Sequence, residues 1–157
     1  MTVKNLKNGD QAPNFVGNST DGEIKLSDLK GKNVVIFFYP KDDTPGCTIE
    51  AQDFSKKNEQ FEKLDCVIIG VSKDSINSHN KFINKYNLNF ELIADEDKLI
   101  CELYNVIKEK SMFGKKYQGI DRTTFLIDRM GKIAKIWRGV KVKGHVDEVY
   151  LELKNSL

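Results

Sequence analysis

The chain has 157 residues, 39% of them hydrophobic and 31% charged, which suits one compact domain over residues 1–157 with a core of useful size. Its 25 Lys and Arg stand against 23 Asp and Glu with the signs interspersed, and a formal net charge of +2 gives no nucleic-acid surface. No apolar run approaches the ~20 residues of a membrane span, MTVKNLKNGDQAPNF lacks the apolar core of a secretory signal, and an odd number of cysteines, 3, fits a reducing, cytoplasmic compartment better than a disulfide framework.

In chain order, residues 14–18 and 23–26 flank Asp21-Gly22 and predict an N-terminal hairpin, after which Ser27 caps a short turn ending at Gly31. Val34 to Tyr39 (VVIFFY) is an unbroken β-branched and aromatic run, the pattern of a strand buried on both faces, and it stops at Pro40. Thr44, Pro45, Gly46 and Cys47 then supply an N-cap hydroxyl and a proline for the first helical position. Cys47, Ala51, Phe54, Asn58, Phe61 and Leu64 recur at three- and four-residue steps, so a helix of about five turns follows the cysteine.

Cys66 to Val71 (CVIIGV) predicts a second buried strand, residues 75–86 a helix bearing Ile76, Phe82 and Ile83, and residues 91–94 a short strand. Residues 95–104 read as a short helix with acidic residues at its start, and 107–121 as a loop. Residues 123–127 and 133–137 are strands joined by the turn signal Asp128, Arg129, Met130, Gly131, and a helix over 144–157 closes the chain with Val146, Val149, Tyr150 and Leu153 on one face. No repeat or low-complexity tract divides the chain, and strands alternating with helices give an α/β layer fold with a mixed central sheet.

Cys47 is the candidate for chemistry. Unpaired N–H groups and the positive end of the helix dipole face whatever occupies a first helical turn, so an anion is favoured there. Thiols near a helix N-terminus or a cation ionise more readily than the ordinary value of about 8.5 allows, and the thiolate is the nucleophile. A buried cysteine packing as a small hydrophobe is the alternative, and a Thr-Pro-Gly turn offers it no apolar pocket.

YPKDDTPGCTIE (Tyr39 to Glu50) and GIDRTTFLID (Gly119 to Asp128) resemble the peroxiredoxin family, within it the bacterioferritin comigratory protein or Q subfamily. NGDQAPNF, IGVSKD, ADEDKLICELYNV and FGKKYQGIDR extend the likeness over essentially the whole chain. The resemblance implies a thioredoxin-like fold and a thiol peroxidase acting on hydrogen peroxide and organic hydroperoxides, with Cys47 as peroxidatic cysteine, Thr44 touching the peroxide, Pro40 shielding the pocket and Arg122 beside the sulfur. It implies no cofactor or metal, a monomer, and a thiol reductant such as thioredoxin, glutaredoxin or a low-molecular-weight thiol.

The chain departs from the commonest subfamily pattern five residues beyond Cys47, where Gln52 replaces a resolving cysteine. One-cysteine turnover with an external thiol is therefore expected, with resolution by Cys101 or a non-catalytic peroxide sensor as alternatives. Cys66, in CVIIGV, reads as packing. No CxxC supports a disulfide exchanger, and Cys47, Cys66, Cys101, His79 and His145 lack the paired spacing of zinc ligands, so both histidines read as surface or cap residues. Asp42-Asp43 reads as a solvated turn, Phe113, Tyr117 and Trp137 carry no assignment, and Glu50 either reaches Arg122 or faces water.

Overall fold

The computed structural model describes residues 5–156. Its strands are β1 (Val16–Ser19), β2 (Gly22–Lys25), β3 (Asn33–Phe38), β4 (Cys66–Ser72), β5 (Glu91–Ala94), β6 (Ile107–Met112), β7 (Lys115–Ile120), β8 (Thr123–Ile127) and β9 (Ile133–Trp137). The helices are α1 (Pro45–Lys63), α2 (Ile76–Tyr86), α3 (Leu99–Leu103) and α4 (His145–Asn155). Seven strands form one sheet in the order β2-β1-β5-β4-β3-β8-β9. β3, β4 and β5 run parallel, whereas β8, β9 and the β1–β2 hairpin are antiparallel additions at the two sides. This mixed sheet, flanked by helices and carrying an N-terminal hairpin, is a thioredoxin-like fold.

The period-two geometry of β3 divides the core. Val34, Ile36 and Phe38 enter one apolar cluster with Phe15, Ile100, Cys101 and Tyr104, while Val35, Phe37 and Tyr39 enter a second with Cys47, Phe54, Phe61, Cys66, Phe82 and Val149. α1, α2 and α4 thus cover one face and α3 the other. Phe37 stacks on Phe54 at 4.6 Å between ring centroids, fixing α1 to the middle of the sheet. The N-terminus of α1 consequently lies at the end of β3 where the chain leaves the sheet.

Several predicted elements shift. Residues 107–121 form the β6–β7 hairpin, not a loop: Phe113 and Gly114 take left-handed conformations at φ 53° and 78°, which suits a tight hairpin turn. Its side chains face water on both sides apart from its ends, which leaves no apolar alternation to read. The helix predicted over 95–104 shortens to α3, yet the acidic start has a purpose, since Asp95 accepts from the N–H groups of Ile100 and Cys101 at 3.0 and 2.8 Å. Ser27 lies within a 3₁₀ turn at Leu26–Leu29 and caps nothing. The closing helix is His145–Asn155, and residue 157 of the predicted span lies outside the described residues.

Gly70 in β4 marks the tightest packing beneath the helical layer. A Cβ there would stand 2.6 Å from Leu92 and 2.8 Å from Phe37, both buried and neither free to retreat. Gly70→Ala should therefore destabilise the fold by about 1–3 kcal/mol, read as a lower denaturant midpoint at unchanged slope.

Candidate active site

The chain leaves β3 through Tyr39, whose N–H donates to Val71, and turns over Pro40 to Thr44 into α1. Thr44 occupies the N-cap position and Pro45 follows inside the helix, but the Thr44 hydroxyl does not cap. It donates to the Lys41 carbonyl at 2.9 Å, which leaves its lone pairs free to accept from another molecule. Cys47 sits in the first turn of a 19-residue helix, and no acidic side chain in that turn neutralises the dipole.

Cys47 is only 1% exposed and shares an apolar cluster with Ala51 and Phe54. That corrects the expectation of a site without apolar walls: the Thr-Pro-Gly turn is local, and the sheet and α4 supply the walls. Arg122, just before β8, reaches into this environment. Its Nη2 lies 3.4 Å from Cys47 Sγ and its Nη1 donates to Glu50 Oε1 at 2.9 Å. Cys47 and Glu50 are three residues apart on one helix face, so a single guanidinium spans both. Gly46 makes the approach possible, because a Cβ there would stand 3.1 Å from Nη2.

Burial and charge pull against each other in this cluster. Burial pushes the Glu50 carboxyl up to about 7 although Arg122 pulls it down, and Glu50 Oε2 is buried without a hydrogen-bond partner among the described residues. Burial also works against the Arg122 charge, but Glu50 and then Cys47 outweigh it and hold the guanidinium above its ordinary value. His145, at the start of α4, is buried and neutral, lowered to about 4 by burial first and the Arg122 charge second. Its Nε2 lies 2.8 Å from the Thr124 hydroxyl on β8.

The structure thus brings Cys47, Arg122 and Glu50 together and places Pro40 and Thr44 on the loop leading into the same helix. Glu50 answers its open alternatives: it pairs with Arg122 and does not face water. Both histidines are interior, contrary to the surface or cap reading, and Asp42 is buried against His79 at 2.7 Å where a solvated turn was expected. Nothing in the linear sequence marks those contacts, since partners lie 21 residues apart for His145–Thr124 and 37 for His79–Asp42. Phe113 is 98% exposed at the tip of the β6–β7 hairpin. Cys66 and Cys101 are buried free thiols pushed up by burial, Cys66 to about 12.

Because the folded Glu50 holds its proton to a higher pH than an unfolded one, its contribution to stability is full below about pH 4.5 and is lost as pH rises through about 7. Relative to Glu50→Gln, the parent should lose up to about 3 kcal/mol over that window, measured by denaturant unfolding at a series of pH values.

The AhpC/TSA family model matches residues 8–136. Peroxiredoxin Bcp of Bacillus subtilis is 52% identical over 148 residues, covering 94% of this chain and 94% of its own. Peroxiredoxin Q of Xanthomonas campestris superposes with a TM-score of 0.86 at 43% identity over 90% of each chain, and Xylella fastidiosa PrxQ with 0.92 at 37% over 98% of each. Family model, relatives and fold agree: the chain belongs to the AhpC/TSA family, among the Bcp/PrxQ peroxiredoxins, and is a thiol-dependent peroxidase.

Proposed function

We propose that Cys47 is the peroxide-reacting thiol and that turnover uses an external thiol without a second cysteine of this chain. The observation that carries the first part is the Arg122 guanidinium 3.4 Å from Cys47 Sγ at the N-terminus of α1. The thiolate attacks the terminal oxygen of a hydroperoxide; an S–O bond forms as the O–O bond breaks, giving Cys47 sulfenic acid and an alkoxide or hydroxide that takes up a proton to leave as alcohol or water. Arg122 donates toward the oxygen that gains charge, and its permanent positive charge needs no proton of its own. Thr44, donating to Lys41, accepts from the peroxide O–H. The Pro40 ring offers no N–H and restricts water at the mouth.

The positions of the other thiols support the second part. Cys101 packs in the cluster on the opposite face of the sheet from Cys47, so the sheet itself stands between the two thiols. Cys66 shares a face with Cys47 but opens β4 just beyond the far end of α1, a helix that spans roughly 28 Å. A disulfide needs Cα atoms within about 7 Å, so neither reaches Cys47 while the fold is intact. Gln52 on α1 brings no thiol. An incoming thiol condenses with the sulfenic acid, releasing water and forming a mixed disulfide; a second thiol displaces Cys47 and carries away the disulfide. Thioredoxin, glutaredoxin or a small thiol fits this role, and the 3 free cysteines fit a reducing, cytoplasmic compartment. A monomer suffices, since every group named lies on one chain.

After one equivalent of peroxide, mass spectrometry should find sulfenic acid, or its mixed disulfide, at Cys47, with Cys101→Ser turning over as the parent does; a stoichiometric internal disulfide would contradict this. Arg122→Ala should slow the oxidation by about 10²–10³-fold and Thr44→Val by about tenfold, each in single-turnover stopped flow.

A further inference from the structure

The loop that carries Pro40 and Thr44 rests on α2 through two adjacent carboxylates. Asp43, at φ 58°, faces outward, accepting from Lys85 at 2.8 Å and from the Tyr86 hydroxyl. Asp42 turns inward, its side chain 4% exposed. Its Oδ1 accepts from Tyr39 at 2.6 Å, its Oδ2 accepts from Ser78 at 2.7 Å, and its N–H donates to Asp74 at 2.8 Å. Oδ2 also lies 2.7 Å from Nδ1 of His79, a residue with no exposed surface, whose Nε2 lies 2.9 Å from the Ile93 carbonyl on β5.

These contacts fix a proton. A carbonyl oxygen only accepts, so His79 Nε2 carries a hydrogen toward Ile93. Nδ1 then faces a carboxylate at hydrogen-bond distance, and two bare lone pairs cannot sit 2.7 Å apart in a buried site. One proton therefore lies on the line between Nδ1 and Oδ2, and the pair is neutral as a unit whichever atom holds it. The remaining polar groups facing it are Tyr39 just after β3, Ser78 from α2 and, through the Asp42 backbone, Asp74, which also accepts from Ser72 at 2.7 Å. Ligand atoms of Asp42, Asp74 and His79 lie within 4.8 Å of one another, but both imidazole nitrogens are already engaged, which suits a clamp better than a cation site.

We propose that Asp42 and His79 are a positioning pair, a proton-bridged clamp tying the β3–α1 loop to α2 and β5 so that Pro40 and Thr44 stay in the arrangement that accepts a peroxide at Cys47. The inference rests on Cys47 being the peroxide-reacting thiol. The clamp ties down the backbone two residues before Thr44, and loosening it shifts the groups that receive the peroxide while Arg122, just before β8 and paired with Glu50, stays in place. Loosening it also gives larger reagents access to Cys47, which is buried in the intact fold.

The test compares two reagents on Cys47: hydrogen peroxide, which needs the shaped pocket, and a bulky aromatic disulfide, dithiobis-nitrobenzoate, which needs only access. In His79→Phe and Asp42→Ala, with folding checked by circular dichroism, peroxide oxidation should slow by at least about tenfold while the aromatic disulfide reacts faster than in the parent. Asp42→Asn should recover most of the rate lost in Asp42→Ala, because an amide N–H can donate to Nδ1 where the bridging proton lay. Folded variants oxidised within about threefold of the parent, or an Asp42→Asn as slow as Asp42→Ala, would overturn the proposal. Where those variants do not fold, Ser78→Ala decides: slower peroxide oxidation with faster labelling supports the clamp, and no change in either overturns it. A parent whose Cys47 is not oxidised by peroxide at all would indicate failure of the reading of Cys47 itself, a separate result.

Discussion

One half-buried guanidinium shared between a sulfur and a carboxylate organises this end of the molecule. Arg122, itself half-buried, bridges Cys47 and Glu50, buried residues one turn apart. A charge placed there is costly unless its partners are close, so the fold must bring the start of β8 against the first turn of α1. It does so because β8 pairs antiparallel with β3 along its length, from Val34↔Ile127 to Phe38↔Thr123, and α1 packs back across the same strands. The chemistry and the sheet register are therefore one constraint: slipping β8 by a residue would turn the neighbouring side chains to the other face.

The loop between β3 and α1 adds a second condition. Its far end is fixed by the helix it begins, and its near side by carboxylates that reach α2 in opposite directions, Asp43 at the surface and Asp42 within. On the proposed reading, the reactive centre is held from both sides of the cysteine: Arg122 and Glu50 position the charge, and the strapped loop positions the groups that would receive the peroxide. The neutral His145 beside Thr124 completes the wall without placing a further cation beside the Arg122 guanidinium.

Much of this was legible in the sequence, for definite reasons. The VVIFFY run, the TPG turn and the 3.6-residue spacing after Cys47 are local signals, and they correspond to β3, the loop and α1. The helix predicted over 75–86 is present as α2, with Ser75 as its N-cap accepting from the Ser78 N–H at 3.1 Å. Glu50 was visible as a partner through its three-residue offset from Cys47, although its choice of Arg122 over water needed the fold. The histidines and Asp42 were misread because a buried polar residue carries no local mark: its partner comes from another element. The β6–β7 hairpin escaped for the opposite reason, having too little buried surface to impose a pattern on its residues. The walls around Cys47 came from the sheet and α4, distant in sequence from the turn that suggested an open site.

The central claim is that this constellation makes the Cys47 sulfur an unusually fast acceptor of peroxide oxygen. Stopped-flow oxidation by hydrogen peroxide, followed through Trp137, the single tryptophan of the chain, tests it most directly. A second-order rate at least about a hundredfold above that of free cysteine under the same conditions, lost in Cys47→Ser, is the expected result. A rate no greater than that of free cysteine, or one that survives Cys47→Ser, would contradict it.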